Sequence, residues 1–119
     1  MKIKATSSSF SKHPKLRATL LESFPSAAFN DDGVKYTREE LIEFIHDADG
    51  LVLGLDEVDD EVLAACPNLK IVSKYGVGLN NLDVEACKSR NITVGWTGGV
   101  NKLSVAEMDL GFMLTLARN

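Results

Sequence analysis

The chain has 119 residues, enough for one domain with a real core, and 45% of them are hydrophobic, as in ordinary globular proteins. Its net charge of −4 comes from interspersed acids and bases, so it has no basic stripe of the kind nucleic-acid binding requires. No apolar run reaches the length of a signal peptide core or a membrane span, and the two cysteines lack the C-x-x-C spacing of zinc or redox motifs.

Read in chain order, residues 2–6 form a first strand. His13-Pro14-Lys15 then opens a helix, with proline tolerated in the first turn and Leu16, Leu20 and Phe24 on one face. Pro25 stops it. Residues 26–30 read as a short strand, and Asp31-Asp32-Gly33 as turn chemistry. Thr37-Arg38-Glu39-Glu40 is a capping box ahead of Leu41, Phe44 and Ile45. The apolar run Leu51-Val52-Leu53, bounded by Gly50 and Gly54, is a buried strand. The acidic stretch 56–61 is a solvated helix start, leading into a short helix over 59–66 that ends at Pro67. A strand over 69–75, a helix over 82–90 and a strand over 92–96 follow, then a loop at Thr97-Gly98-Gly99 and a long final helix. Cys66 and Cys87 each fall beside alanines on an apolar helical face, which predicts plain buried thiols in a reducing, cytoplasmic setting and no metal site.

Five β-α units with central strands apolar on both faces imply a parallel sheet covered by helices on each side. Right-handed crossovers then give a flavodoxin-like, doubly wound α/β fold with five parallel strands in the order 2-1-3-4-5. In such sheets ligands bind outside the carboxyl ends of the strands. The loop after the fourth strand, Lys74-Tyr75-Gly76-Val77-Gly78, stands out. Two glycines let the backbone approach a ligand closely, amides of Val77 and Gly78 can converge on an anion, and Lys74 adds positive charge. A small carboxylate suits such a site. The same residues also fit a bare strand-to-helix turn, and Asn80 and Asn81 fit left-handed turn positions or helix caps. The run is not the dinucleotide fingerprint G-x-G-x-x-G, because position 81 is Asn.

Asn101 in the next loop can donate and accept hydrogen bonds in the same cleft. Ser104-Val105-Ala106-Glu107 is a second capping box, sufficient by itself to explain Ser104 and Glu107. The helix it opens carries Val105, Met108, Leu110, Phe112, Met113, Leu114 and Leu116, apolar nearly all round, and a helix without a polar face belongs inside something larger. We therefore expect a flavodoxin-like domain over 1–103, the start of an interdomain helix over 104–119, and further polypeptide to cover it. Failing that, the apolar helix should drive self-association or a homodimer.

These residues resemble the NAD-dependent D-2-hydroxyacid dehydrogenases, the group containing D-3-phosphoglycerate dehydrogenase. The likeness is close over 48–118, through Ala48-Asp49-Gly50-Leu51-Val52, Cys66-Pro67-Asn68-Leu69-Lys70, Tyr75-Gly76-Val77-Gly78-Leu79-Asn80-Asn81-Leu82-Asp83, Asn101 and Ser104-Val105-Ala106-Glu107; residues 1–47 agree only in pattern. The resemblance implies the N-terminal, substrate-binding domain of such an enzyme, without its nucleotide-binding domain. It implies that Tyr75, Gly76, Val77 and Gly78 hold the substrate carboxylate. Asn101 would lie near both substrate and nicotinamide, with Ser104 and Val105 on the nicotinamide side. NAD would be the parent's cofactor, not tightly held by this chain. The family's catalytic Glu–His pair and substrate-gripping Arg have no counterpart here, so no catalytic residue is expected; His13 and His46 do not replace them. Two departures bear on substrate. Trp96-Thr97-Gly98-Gly99 stands where the family usually has Asn-Thr-Pro-Gly. Gly54-Leu55-Asp56-Glu57 stands where phosphoglycerate-specific members carry an Arg, and its acids would repel a phosphate.

Two other readings compete. A flavodoxin-like FMN electron carrier would use the hydroxyl-rich run Thr6-Ser7-Ser8-Ser9 after the first strand as a phosphate cradle. A non-catalytic, receiver-like module would need an acceptor Asp at the end of the third strand, where Gly54 stands.

Overall fold

The computed structural model describes residues 2–75 and 80–95. Its strands are β1 (Ile3–Ala5), β2 (Ala28–Phe29), β3 (Gly50–Leu53), β4 (Ile71–Lys74) and β5 (Thr93–Gly95). They pair in parallel throughout, in the order β2-β1-β3-β4-β5, as the alternation of apolar runs and helical patterns predicts. Every strand therefore ends at the same edge of the sheet.

The helices are α1 (Ser8–Lys12), α2 (Pro14–Ser23), α3 (Arg38–Ile45), α4 (Asp60–Ala64) and α5 (Val84–Ser89). Each start is chemically specified. Thr37 and Glu40 exchange side-chain and backbone bonds in the expected capping box of α3. Asp59 caps α4 by accepting from Val62 N–H, and Asp83 caps α5 by accepting from Ala86 N–H. Asp59 also takes a two-pronged bond from Arg38 at 2.7 and 2.8 Å. That bond, and then the Val62 amide, hold its carboxyl at about 2. A carboxyl depressed in this way supports the fold above the ordinary carboxylate range, and the support is lost as pH falls toward 2. The pair is exposed, so its contribution is small.

Helix α1 is the departure from expectation. The serines of 7–9 read as a loop, yet Ser7 accepts from Phe10 N–H at 3.1 Å and caps a five-residue helix. That helix ends at His13, whose Nδ1 accepts from Leu16 N–H and caps α2 in turn. His13 is thus a structural residue. His46 closes α3 in helical conformation, its N–H donating to Ile42 O.

Two apolar layers sandwich the sheet. On one face Ile3, Ala5, Val52 and Ile71 meet Phe10, Leu16, Leu20 and Phe24 from α1 and α2. On the other, Leu51, Leu53 and Val72 meet Leu41, Ile45, Val62, Leu63, Ala86 and Cys87 from α3, α4 and α5. Alternating residues of β3 serve opposite layers, as the period-2 geometry of a central strand requires. Cys66 and Cys87 are buried free thiols, both pushed up to about 11 by burial, which fits the plain structural reading. The Ser73 hydroxyl is buried without a hydrogen-bond partner, a cost that nothing among the described residues offsets. Among the described residues no helix is long and apolar enough to cross a membrane.

Candidate functional site

The C-terminal edge of the sheet gathers Thr6 after β1, Gly54, Leu55 and Asp56 after β3, and Lys74 and Tyr75 at the end of β4. Between β1 and β3 the chain's winding reverses, and flavodoxin-like folds hold their ligand at that point. Here it is sealed. Gly54 N–H donates to Thr6 Oγ1 at 3.1 Å, and a Cβ on Gly54 would lie 2.8 Å from Ser7 Cα. Ser7 caps α1, and Ser11 Oγ donates to Ser7 O at 2.7 Å while accepting from Asn30 N–H at 3.0 Å. These hydroxyls are committed to the fold, and Thr6 and Ser7 are only 2% and 7% exposed. Thr6 and Ser7, two of the four residues an FMN carrier would use as a phosphate cradle, are therefore engaged within the fold. One strand over, the loop after β3 meets the chain that follows β4.

Those two loops are stitched together. Asn81 Nδ2 donates to Gly54 O at 2.9 Å and to Asp56 O at 2.8 Å. Val58 N–H donates to Asn81 O at 2.8 Å, and Asp83 N–H to Val58 O at 2.9 Å, a short parallel bridge pairing Val58 with Leu82. Asn81 is therefore neither a left-handed turn residue nor a cap: Asn91 is the non-glycine residue with positive φ among the described residues, and Asp83 does the capping. Its role was not legible from local sequence, because its partners lie 25 and 27 residues away.

Lys74 is 2% exposed at the end of β4, so its ammonium lies within the protein rather than out in solvent. It shares this corner with Asp56. Burial raises the Asp56 carboxyl above its ordinary range, while a hydrogen bond from Thr6 and the positive charge of Lys74 pull it back. Asp56 is thus half-buried, unlike Asp60 and Glu61, which are exposed at the helix start that the acidic run predicts. Its raised carboxyl favours the fold most below the ordinary carboxylate range, and that advantage is lost as pH rises through the folded value. Tyr75 is anchored twice, by donating its N–H to Leu53 O at 2.9 Å and by an edge-on contact of its ring with Phe10, 5.5 Å between centroids. Of the remaining predicted site residues, Gly76, Val77, Gly78, Asn101, Ser104 and Val105 lie outside the described residues, as do Trp96 and the final helix.

The architecture is that of an open parallel α/β domain with the chain after β3 joined to the chain after β4 at the strands' carboxyl ends. The family model described as the D-isomer specific 2-hydroxyacid dehydrogenase catalytic domain matches residues 7–109, and the chain belongs to that family. A glyoxylate reductase of Thermofilum pendens is 42% identical over 83 residues, 69% of this chain and 24% of the relative. A D-3-phosphoglycerate dehydrogenase of Methanocaldococcus jannaschii is 42% identical over 84 residues, 70% of this chain and 16% of the relative. The chain thus spans well under a third of either protein. The crystal structure of an NAD+-bound 3-phosphoglycerate dehydrogenase of Entamoeba histolytica superposes with a TM-score of 0.71 at 31% identity, covering 95% of this chain and 38% of that one.

Proposed function

We propose that residues 1–119 are the substrate-binding part of an NAD-dependent 2-hydroxyacid dehydrogenase. In this reading residues 1–103 form the substrate domain, 104–119 begin the helix that leads to a nucleotide-binding domain, and self-association proceeds through the apolar face of that helix. The turn at Tyr75, Gly76, Val77 and Gly78 receives the substrate carboxylate on its backbone amides, with Lys74 contributing positive potential from beneath. Asn101 orients the C2 oxygen, and Ser104 and Val105 border the nicotinamide ring. NAD supplies or accepts the hydride at C2. In this reading it is held mainly by polypeptide other than these residues, because Thr6 and Ser7 after β1 are engaged within the fold.

The observation that carries this reading is the pairing of the loops after β3 and β4 at the sheet's carboxyl edge, immediately beside Tyr75. The substrate we favour is a small, non-phosphorylated 2-hydroxy acid. Sequence identity does not discriminate, being 42% to both the glyoxylate reductase and the phosphoglycerate dehydrogenase. Charge does. Leu55, Asp56 and Glu57 line the rim where a phosphate needs a cation, and like charge there costs binding.

Because the sequence contains no G-x-G-x-x-G and its two histidines, His13 and His46, are helix caps, the 119 residues should not turn over by themselves. The purified chain, given NADH with glyoxylate or hydroxypyruvate, should oxidise no NADH above the protein-free rate. Sustained turnover by this chain alone would overturn the proposal.

A further inference from the structure

The loop after β4 is tethered at both ends to the 53–56 stretch of one neighbour. At its start, Tyr75 N–H donates to Leu53 O at 2.9 Å. At its end, Asn81 grips the next residues along, Gly54 O at 2.9 Å and Asp56 O at 2.8 Å. A single side-chain amide has two hydrogens, and here each goes to a carbonyl two residues from the other. Two carbonyls drawn to one nitrogen curl the chain around it and turn the intervening residue outward. Leu55 accordingly stands 93% exposed, a large apolar side chain projecting from a fixed turn.

Farther along the rim the fastening continues. Gly54 N–H donates to Thr6 Oγ1 at 3.1 Å, and Thr6 O accepts from Asn30 Nδ2 at 3.0 Å. The same Asn30 amide donates to Val34 O at 2.8 Å. Side-chain amides after β2 and β4 thus strap the rim from Val34 across to Asn81. Asn81 is the member that reaches from the end of the loop after β4 to the turn after β3.

We propose that Asn81 is a positioning residue: it locks the 54–56 turn to the loop after β4, so that the two loops bordering the carboxylate site keep one fixed spacing. The consequence for ligand binding rests on the function proposed above; the lock itself does not. No other side chain substitutes closely. Asp offers no hydrogens when ionised and sets a negative charge against two carbonyls. Gln carries its amide one methylene too far, and Ala leaves both carbonyls without their donor.

The test uses the ¹⁵N-labelled chain as wild type, Asn81→Ala and Asn81→Asp, with oxalate as the carboxylate probe between pH 4 and pH 8. Two readouts are followed: amide protection factors at Gly54, Val58 and Asp83, and the oxalate dissociation constant. Asn81→Ala should lower protection at those amides by about tenfold, the worth of two modest hydrogen bonds, while Val52 and Val72 in the central strands change less. Oxalate should weaken by a similar factor. Asn81→Asp should be at least as loose at pH 8 and recover as pH falls, because a protonated carboxyl donates one O–H where the ionised form donates none. Asp56 titrates in the same corner and Lys74 and Asp83 lie near it, so recovery is scored against Asn81→Ala at each pH. Wild-type protection and oxalate affinity in Asn81→Ala would overturn the proposal, as would identical behaviour of the two variants at every pH. If Asn81→Ala does not fold, the pH-dependent recovery of Asn81→Asp, judged against wild type, decides. Loosened amides in a protein whose wild type binds no oxalate would leave the lock standing and sink the carboxylate site instead.

Discussion

Phe10→Ala should cost about 3–5 kcal/mol of stability, the range for emptying a buried aromatic site. Domains of this size have only ~5–15 kcal/mol in hand, so the loss takes a large part of the whole. Phe10 is the wedge of α1. It is buried against Ile3, Ala5, Leu16 and Leu20, and it sets its ring edge-on to Tyr75 at 5.5 Å. Removing it opens a cavity under the layer formed by α1 and α2. It also frees the ring of the residue that leads into the candidate carboxylate turn. Chemical denaturation measures the first effect. Broadened or shifted Tyr75 ring resonances, with Phe10→Leu intermediate in both respects, check the second. A loss below 1 kcal/mol would mean that α1 contributes little to this core.

Gly54→Ala should be nearly as severe, at about 2–3 kcal/mol, through crowding rather than loss. An added Cβ would sit 2.8 Å from Ser7 Cα and 3.0 Å from Ser7 Cβ. The first of these is backbone and cannot swing aside. Relief requires the β3 turn to withdraw from β1, which stretches the bond from Gly54 N–H to Thr6 Oγ1 and pulls on the Asn81 bond to Gly54 O. Gly33→Ala offers the comparison. That glycine has φ of +66° and meets only the tips of flexible or small side chains, Lys12 Nζ and Ser8 Oγ. Its cost should be near 1 kcal/mol, from backbone conformation alone. Parallel urea melts giving Gly54→Ala the smaller penalty would contradict the close packing of the loops after β1 and β3.

Much of this architecture is legible in the sequence because its signals are local. Thr37 and Glu40 stand three apart and specify where α3 starts; Pro14 and Pro25 bracket α2; glycines flank the apolar run of β3. The parallel order follows from strands apolar on both faces alternating with helical patterns. Helix α1 escaped this reading because five residues carry no measurable periodicity, and serines suit a loop and a cap equally. At the site, the signals that mattered were long-range. Nothing near Asn81 announces two acceptors in another loop, and nothing near Asp56 distinguishes a half-buried carboxyl from its exposed neighbours Asp60 and Glu61. In sequence Lys74 reads only as a positive charge beside the loop; its burial follows from its place at the end of a strand enclosed at every residue.

Everything functional in this account turns on a carboxylate being received at the turn after β4. An ¹H–¹⁵N titration of the chain with oxalate tests that directly. The largest saturable shifts should fall on the amides of Val77, Gly78 and their neighbours, with smaller ones at Leu55 and Asp56 across the rim, and should be screened by salt. Shifts confined to Thr6, Ser7 and Ser8, or none at millimolar oxalate, would place the ligand elsewhere and contradict the account.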